Sequence, residues 1–298
     1  MGSRLETLLT MYELIRSNFP RDYLARLKLR TPWFVGLTGN DPFPRLHVAN
    51  RLFRDSGPLF GPFLTRDAAR DYEQEVLALF QIRRCTEVLA PRPDHPGCIY
   101  GEMNQCLRPC QCAVSGEEYG TEAQRVSEFL STNGRSAIAT LTAARDRAAE
   151  ETDFEHAALI HERIEKMKAA AGSRHEVVSE VHGFSGVALT RSAERGKFCL
   201  WPLIDGIWQN ALVLDFPDEE SHSKSLDHDL RETLASELSN TQVEGKRIDH
   251  LALFSRWYYS SWRDGEWFPF RALANLSYRK LVRSISNLAK PKCSIRRP

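Results

Sequence analysis

The chain has 298 residues, 42% of them apolar and 27% charged, with a formal net charge of +1. That balance reads as a soluble globular protein of about two domains. It makes no overall electrostatic statement, and no stretch reaches the roughly 18 consecutive apolar residues of a membrane helix. The opening MGSRLETLLTMYELIRS lacks the apolar core and small-residue cleavage site of a signal peptide. A cytoplasmic location is therefore expected, where thiols stay reduced and structural disulfides are rare.

In chain order, Leu5, Leu8, Leu9, Tyr12 and Ile15 fall at helical spacing over 5–19, with Pro20 just past the end. Residues 33–53 carry Gly, Asn and Pro between short apolar runs, which predicts hairpin strands. Thr65 is the expected N-cap of the next helix, with Ala68, Tyr72, Val76, Leu79 and Phe80 as its apolar stripe. This helix delivers Cys85 to a cysteine-rich segment. A further helix is expected over 116–134, ending at Asn133-Gly134.

Two more helices follow, over 136–151 and 153–172. The second has Thr152 and Glu155 as a capping box and Gly172 as its stop. Phe154, Ala157, Ala158, His161 and Ile164 share one of its faces; His161 is read as a packed residue with no catalytic role. Short and alanine-rich, the two helices suit a closely packed antiparallel pair. Past Gly172, residues 180–191, 197–204 and 207–216 look like three strands, the last two joined around Asp205-Gly206. Residues 226–240 read as a helix. The aromatic-rich 250–270 reads as strand, with a turn at Asp264-Gly265. Cys199 is expected to be a core residue of its strand.

Charge is uneven. Residues 21–70 hold nine Lys/Arg against four Asp/Glu, and residues 271–298 hold eight basic residues and no acidic one. Either zone alone suits a solvated surface. Flanking a metal-type site, they make a polyanion partner more plausible. Candidate phosphate contacts are Arg45, Arg51, Arg54, Lys290, Lys292, Arg296 and Arg297.

Between those zones, four of the seven cysteines crowd into residues 98–112. The spacing Cys85-x12-Cys98-x7-Cys106-x3-Cys110 leaves Cys112 spare. Four thiolates complete either a tetrahedral zinc site or a cubane iron–sulfur cluster, and spacing alone does not choose between them.

The segment IRRCTEVLAPRPDHPGCIYGEMNQCLRPC resembles the cysteine segment of the UvrC family, the incision subunit of bacterial nucleotide excision repair. Cys85, Cys98, Tyr100, Cys106, Pro109 and Cys110 carry the likeness. Upstream, GPLFGPFLTRDAARDYEQEVLALF resembles the family's YFGPY run and following helix. Downstream, residues 141–167 resemble the UVR motif, the helical hairpin by which UvrC pairs with UvrB, through Phe154, Glu155, Ala157, Ala158, Arg163 and Ile164. The likeness spans about residues 35–172. It implies a [4Fe–4S] cluster on Cys85, Cys98, Cys106 and Cys110, with zinc as the alternative, and DNA and a UvrB-type subunit as partners.

The ends of the chain depart from the family. Residues 6–20 look like the tail of the family's GIY-YIG nuclease, but no GIY or YIG tripeptide occurs and Met11 stands at the metal-binding glutamate position. A thioether cannot replace a carboxylate on a hard Mg²⁺ ion. Glu13, two positions on, lies on another face of the helix. Residues 181–270 are compared with the first strands of the family's RNase H-type nuclease, which needs converging carboxylates. The first strand offers none, and Asp215 stands alone.

The expected fold is therefore α+β in four stretches. These are a degenerate GIY-YIG-type tail over 1–60, a helical cysteine-rich iron–sulfur domain over 61–135, a UVR-like hairpin over 136–172, and a C-terminal mixed β/α domain over 173–298 with a basic tail and an RNase H-like reading. No catalytic residue is assigned. Three functions are weighed: a repair accessory that binds DNA and a UvrB-type partner, an endonuclease whose catalytic part precedes Met1, and an iron–sulfur redox or regulatory protein.

Overall fold

A computed structural model describes residues 1–52, 57–215 and 247–289. Helix α1 (Arg4–Asn18) starts at Ser3, whose hydroxyl accepts the Glu6 N–H, and buries Leu5, Leu8 and Tyr12. Helix α2 (Tyr23–Leu27) ends at Lys28 in the left-handed region. Strands β1 (Trp33–Leu37) and β2 (Leu46–Ala49) form the expected hairpin, antiparallel from Phe34↔Ala49 to Leu37↔Leu46. Strand β3 (Leu59–Phe63) is buried along its whole length. A Cβ at Gly61 would fall 2.4 Å from the Phe34 ring, so only glycine fits that crossing.

Thr65 caps α3 (Arg66–Leu79) as expected, its hydroxyl accepting the Ala68 N–H. The buried stripe is Ala69, Tyr72, Val76 and Leu77. Tyr72, Val76 and Phe80 are buried as expected, whereas Ala68 is exposed and Leu79 half-buried, their places taken by Ala69 and Leu77. After α4 (Ile99–Glu102), helix α5 (Gly116–Thr132) has a reciprocal capping box between Ser115 and Glu118. It ends where expected: Asn133 and Gly134 take φ +53° and +74°.

Helices α6 (Arg135–Glu150) and α7 (Phe154–Ser173) form the hairpin. The cap of α7 is Asp153 in place of the expected Thr152; its carboxylate accepts the His156 N–H. A charged acceptor at a helix N-terminus also complements the helix dipole. Thr152 sits at φ +61° with its hydroxyl on the Glu151 carbonyl. Gly172 does not stop the helix, which runs on to Ser173.

Strands β4 (Ser179–Glu180), β5 (Ser185–Arg191) and β6 (Lys197–Ile204) come next. The third expected strand is split into β7 (Ile207–Trp208) and β8 (Leu212–Asp215), both paired with β6. The turn falls at Asp205-Gly206, both at positive φ. The expected helix over 226–240 lies outside the described residues. Residues Arg247–Tyr258 form helix α8, which corrects the strand reading of that stretch. Its aromatic residues favour strands in isolation, yet α8 is enclosed on nearly every side, and burial outweighs that preference. Strand β9 (Gly265–Phe270) and helix α9 (Tyr278–Ala289) complete the described chain. No helix among the described residues is long and apolar enough to cross a membrane.

The chain folds as two compact units, Pro32–Val181 and Met1–Thr31 together with His182 onward. They cut across the four expected stretches. The α1–α2 segment belongs with the C-terminal strands, and the β1–β2 hairpin belongs with the cysteine segment. In the first unit, the sheet order is β2-β1-β3-β4, and α3 packs on it. In the second, the antiparallel order is β7-β6-β5-β9, with β8 also on β6. One face of this sheet buries Val187, Leu189, Phe198, Leu200, Phe268 and Phe270 against Leu281 and Ile285 of α9. Trp267, on the alternate face of β9, packs edge-on against Phe254 of α8 at 4.7 Å. Cys199 is buried in β6, as expected.

Candidate functional site

The cysteine segment begins where α3 ends. Backbone bonds tie it down: Leu107 N–H donates to the Gln81 carbonyl at 2.9 Å, and Arg92 N–H to that of Cys110 at 3.0 Å. Helix α5 holds the near side. Glu122 accepts the Gln81 N–H at 2.9 Å, and the Tyr119 hydroxyl accepts the Arg83 N–H at 2.9 Å while donating to Pro44 O at 2.8 Å. Cys98 is the N-cap of α4, and Cys110 sits in a 3₁₀ turn opened by Pro109.

Cys106 and Cys110 are buried, Cys85 is half-buried, and Cys98 is exposed, as is the spare Cys112. Burial pushes the Cys106 thiol up, and Cys98, Cys85 and Cys110 add to the shift; the Arg108 N–H opposes it. Burial also raises Cys110, with Cys98 and Cys85 adding and the Gln111 N–H opposing. The cysteines are therefore near enough for the charge of one to raise the thiol of another. Among the described residues, however, no three His, Cys, Asp or Glu side chains are drawn together as a closed metal site. The donor set fits a soft metal or cluster: four sulfurs, with backbone N–H groups directed at two of them.

Beside the sulfurs lies Arg83, whose side chain is only 3% exposed. Its guanidinium donates to the Phe43 carbonyl at 2.7 Å, to Glu87 O at 2.8 Å and to Cys85 Sγ at 3.6 Å. It also pairs with Asp41 at 2.6 Å. Burial opposes the charge, but the Cys85 and Asp41 contacts hold its pKa above the ordinary value. Burial alone would raise Asp41, yet the Phe43 N–H and the guanidinium outweigh it and hold the carboxyl below the usual range. A fixed cation thus stands at the edge of a group that becomes anionic when its thiols ionise. Sequence reasoning missed Arg83, Asp41 and Tyr119. An arginine beside a cysteine reads as a solvated charge, and nothing in the local pattern links residue 41 to residue 83.

The other predicted residues scatter. Phe154, Glu155, Ala158 and Arg163 are exposed on α7. Ala157 and Ile164 are buried in the chain's own core, so they cannot contact a partner. Their helical spacing was right for a seam; the seam is internal. Arg45 is half-buried and Arg51 exposed. Arg54, Lys290, Lys292, Arg296 and Arg297 lie outside the described residues. Met11 is exposed on α1.

Residues 33–129 match the family model described as the middle domain of the UvrC/Cho excinuclease. The chain is a UvrC-like protein. It is 30% identical over 192 residues to the UvrABC system protein C of Acetivibrio thermocellus, covering 64% of this chain and 31% of that one. To the UvrABC system protein C of Nitratidesulfovibrio vulgaris it is 29% identical over 193 residues, 62% of this chain and 28% of the relative. The same protein of Lawsonia intracellularis is 28% identical over 175 residues, 59% and 28% of the two chains. This UvrC-like chain thus spans about three tenths of the length of the curated relatives it matches. No solved structure matches it. The matched domain contains β1, α3, the four cysteines and Tyr119, so the UvrC-like part coincides with the candidate site.

Proposed function

We propose that this chain is an excision-repair accessory that binds DNA and docks on a UvrB-type subunit, without a nuclease of its own. The observation that carries the docking is the surface of α7. Phe154 is 67% exposed and Leu159 66% exposed, on a helix that otherwise buries Ala157, Ile164, Met167 and Ala170. Two large apolar groups left in water directly after a UvrC-type middle domain suit a partner hairpin that covers them. Phe154→Ala should weaken binding to a UvrB-type subunit by about 2 kcal/mol or more, as expected of an aromatic anchor. Its melting temperature should stay close to the parent value, because the ring is two-thirds exposed; titration calorimetry and a thermal melt separate the two effects.

The proposed cofactor is a [4Fe–4S] cluster on Cys85, Cys98, Cys106 and Cys110, with zinc on the same sulfurs as the alternative. When bound, it would neutralise thiolate charge and tie the end of α3, α4 and the 3₁₀ turn together. Arg83 would hold the site's positive rim.

The non-nuclease reading rests on the residues at hand. Metal-assisted hydrolysis needs carboxylates that hold an ion. In the unit that contains β5–β9, Asp205 is engaged by Arg247, Asp249 by Tyr12 and Tyr23, Glu266 by Ser284 and Glu194 by Lys197. These acids are committed to separate partners. The RNase H-like reading of this unit stays a proposal with no catalytic residue attached. Incubated with damaged duplex, Mg²⁺ and a UvrB-type partner, the chain should retain DNA in a salt-sensitive way and leave it uncut. Incision that survives Met11→Ala and vanishes with Asp215→Ala would overturn the non-nuclease reading. No retention at low salt would leave the redox or regulatory reading in its place.

A further inference from the structure

A cleft of about 160 Å³ opens beside the cysteine segment, between the end of α3 and the loop after α4. Its polar lining is Gln81, Arg84, Asn104 and Gln105. Arg84 crosses it. One guanidinium nitrogen donates to the Leu77 carbonyl at 2.9 Å and another to Gln74 Oε1 at 3.3 Å. Its Nε is buried and has no hydrogen-bond partner among the described residues. The guanidinium carbon also lies 5.1 Å from the centre of the Tyr100 ring, a cation–π contact. Tyr100 is 38% exposed, and its neighbours Ile99 and Met103 are 58% exposed each. Arg84 thus joins the amide-lined cleft to the Tyr100 ring, which stands beside the exposed Ile99 and Met103.

We infer that this cleft takes one unpaired nucleobase of single-stranded DNA, stacked at Tyr100 and Arg84. The inference rests on the proposal that the chain binds DNA. Three features favour that occupant. A base has a π face, which suits an aromatic ring already paired with a guanidinium plane. It has hydrogen-bonding edges, which suit the amides of Gln81, Asn104 and Gln105. The volume is about that of five waters in the liquid, room for one ring system and too little for a drug-sized ligand. The exposed Arg108, whose stem lies against Gly101 of α4, supplies a cation for the adjoining phosphate. A paired base in intact duplex presents no face to such a cleft, so single strands and unpaired positions are selected.

The test uses the full chain and a single strand carrying one fluorescent aminopurine, against the same strand in perfect duplex. Binding of the single strand should change the aminopurine emission, and the duplex should not. Tyr100→Ala should weaken single-strand binding roughly tenfold, while Tyr100→Phe keeps it and duplex affinity is unchanged in both. Emission on the unsubstituted chain decides independently of how any variant folds. Duplex binding with an unaltered emission and no effect of Tyr100→Ala would overturn this inference alone. Failure to bind either form at low salt would overturn the DNA-binding proposal and this inference with it.

Discussion

Cys106→Ser protein, purified without oxygen, is expected to be colourless, whereas the parent should be brown with iron and sulfide near four each per chain, the stoichiometry of a cubane on four thiolates. Cys106 is the most telling of the four positions. It is buried, its sulfur accepts the Arg108 N–H, and the charges of Cys98, Cys85 and Cys110 add to the rise of its thiol. A serine hydroxyl is a hard donor and a poor ligand for a soft centre. Because metal binding is coupled to folding, the loss should extend beyond one ligand. Residues 80–115 are held by Leu107–Gln81 and Arg92–Cys110 backbone bonds and have almost no regular structure of their own. Amide exchange over that stretch should rise to the level of exposed loops, while β5 and β6 keep their protection. The raised thiols of Cys106 and Cys110 must lose protons to bind, so uptake should release protons and weaken as pH falls. One tightly held zinc and no sulfide in the anaerobic parent would sink the cluster proposal and leave the ligand set standing.

Arg83→Met should cost about 1–3 kcal/mol of stability, the range for leaving buried hydrogen-bonding groups without their partner. The guanidinium holds Asp41 and the carbonyls of Phe43 and Glu87 together, and with the Tyr119 hydroxyl it joins the β1–β2 loop to the start of the cysteine segment. Methionine fills part of the volume and leaves those acceptors without a donor. Denaturant melts of the two proteins measure the difference, and a loss under 1 kcal/mol would show that the pair is replaced by water at no penalty. The pH dependence has a definite sign. The folded pKa of Asp41 lies below its unfolded value, so its contribution is present above about pH 4. It fades as pH falls through the lower, folded value. The parent should lose that increment on acidification below about pH 4, and Arg83→Met should show less of the loss.

Much of the fold was legible in the residues because the signals involved are local. The Thr65 cap, the Asp205-Gly206 turn and the Asn133-Gly134 stop of α5 each act within a few residues, and each appears in the structure. Where two local signals compete, the reading slipped. Thr152 and Asp153 both offer an N-cap, and the carboxylate took it. At α8, aromatic density suggested strand, but nearly every side chain there finds a buried neighbour, which a helix inside a core provides.

By itself, then, the order of residues determined the caps, the turns, the β1–β2 hairpin, the α6–α7 pair and the clustering of four sulfurs within 26 positions from Cys85 to Cys110. All of these depend on neighbours within one or two elements. Tertiary structure alone decided which sides of those elements meet water. It buried Ala69 and Leu77 of α3 in place of Ala68 and Leu79, sank Ala157 and Ile164 while leaving Phe154 outside, and placed Asp41 and Tyr119 against Arg83. The Arg83 contacts join residues 42 and 36 positions apart. They depend on which surfaces pack together in space, and periodicity, which fixes spacing along an element, carries no record of the surface that will lie opposite.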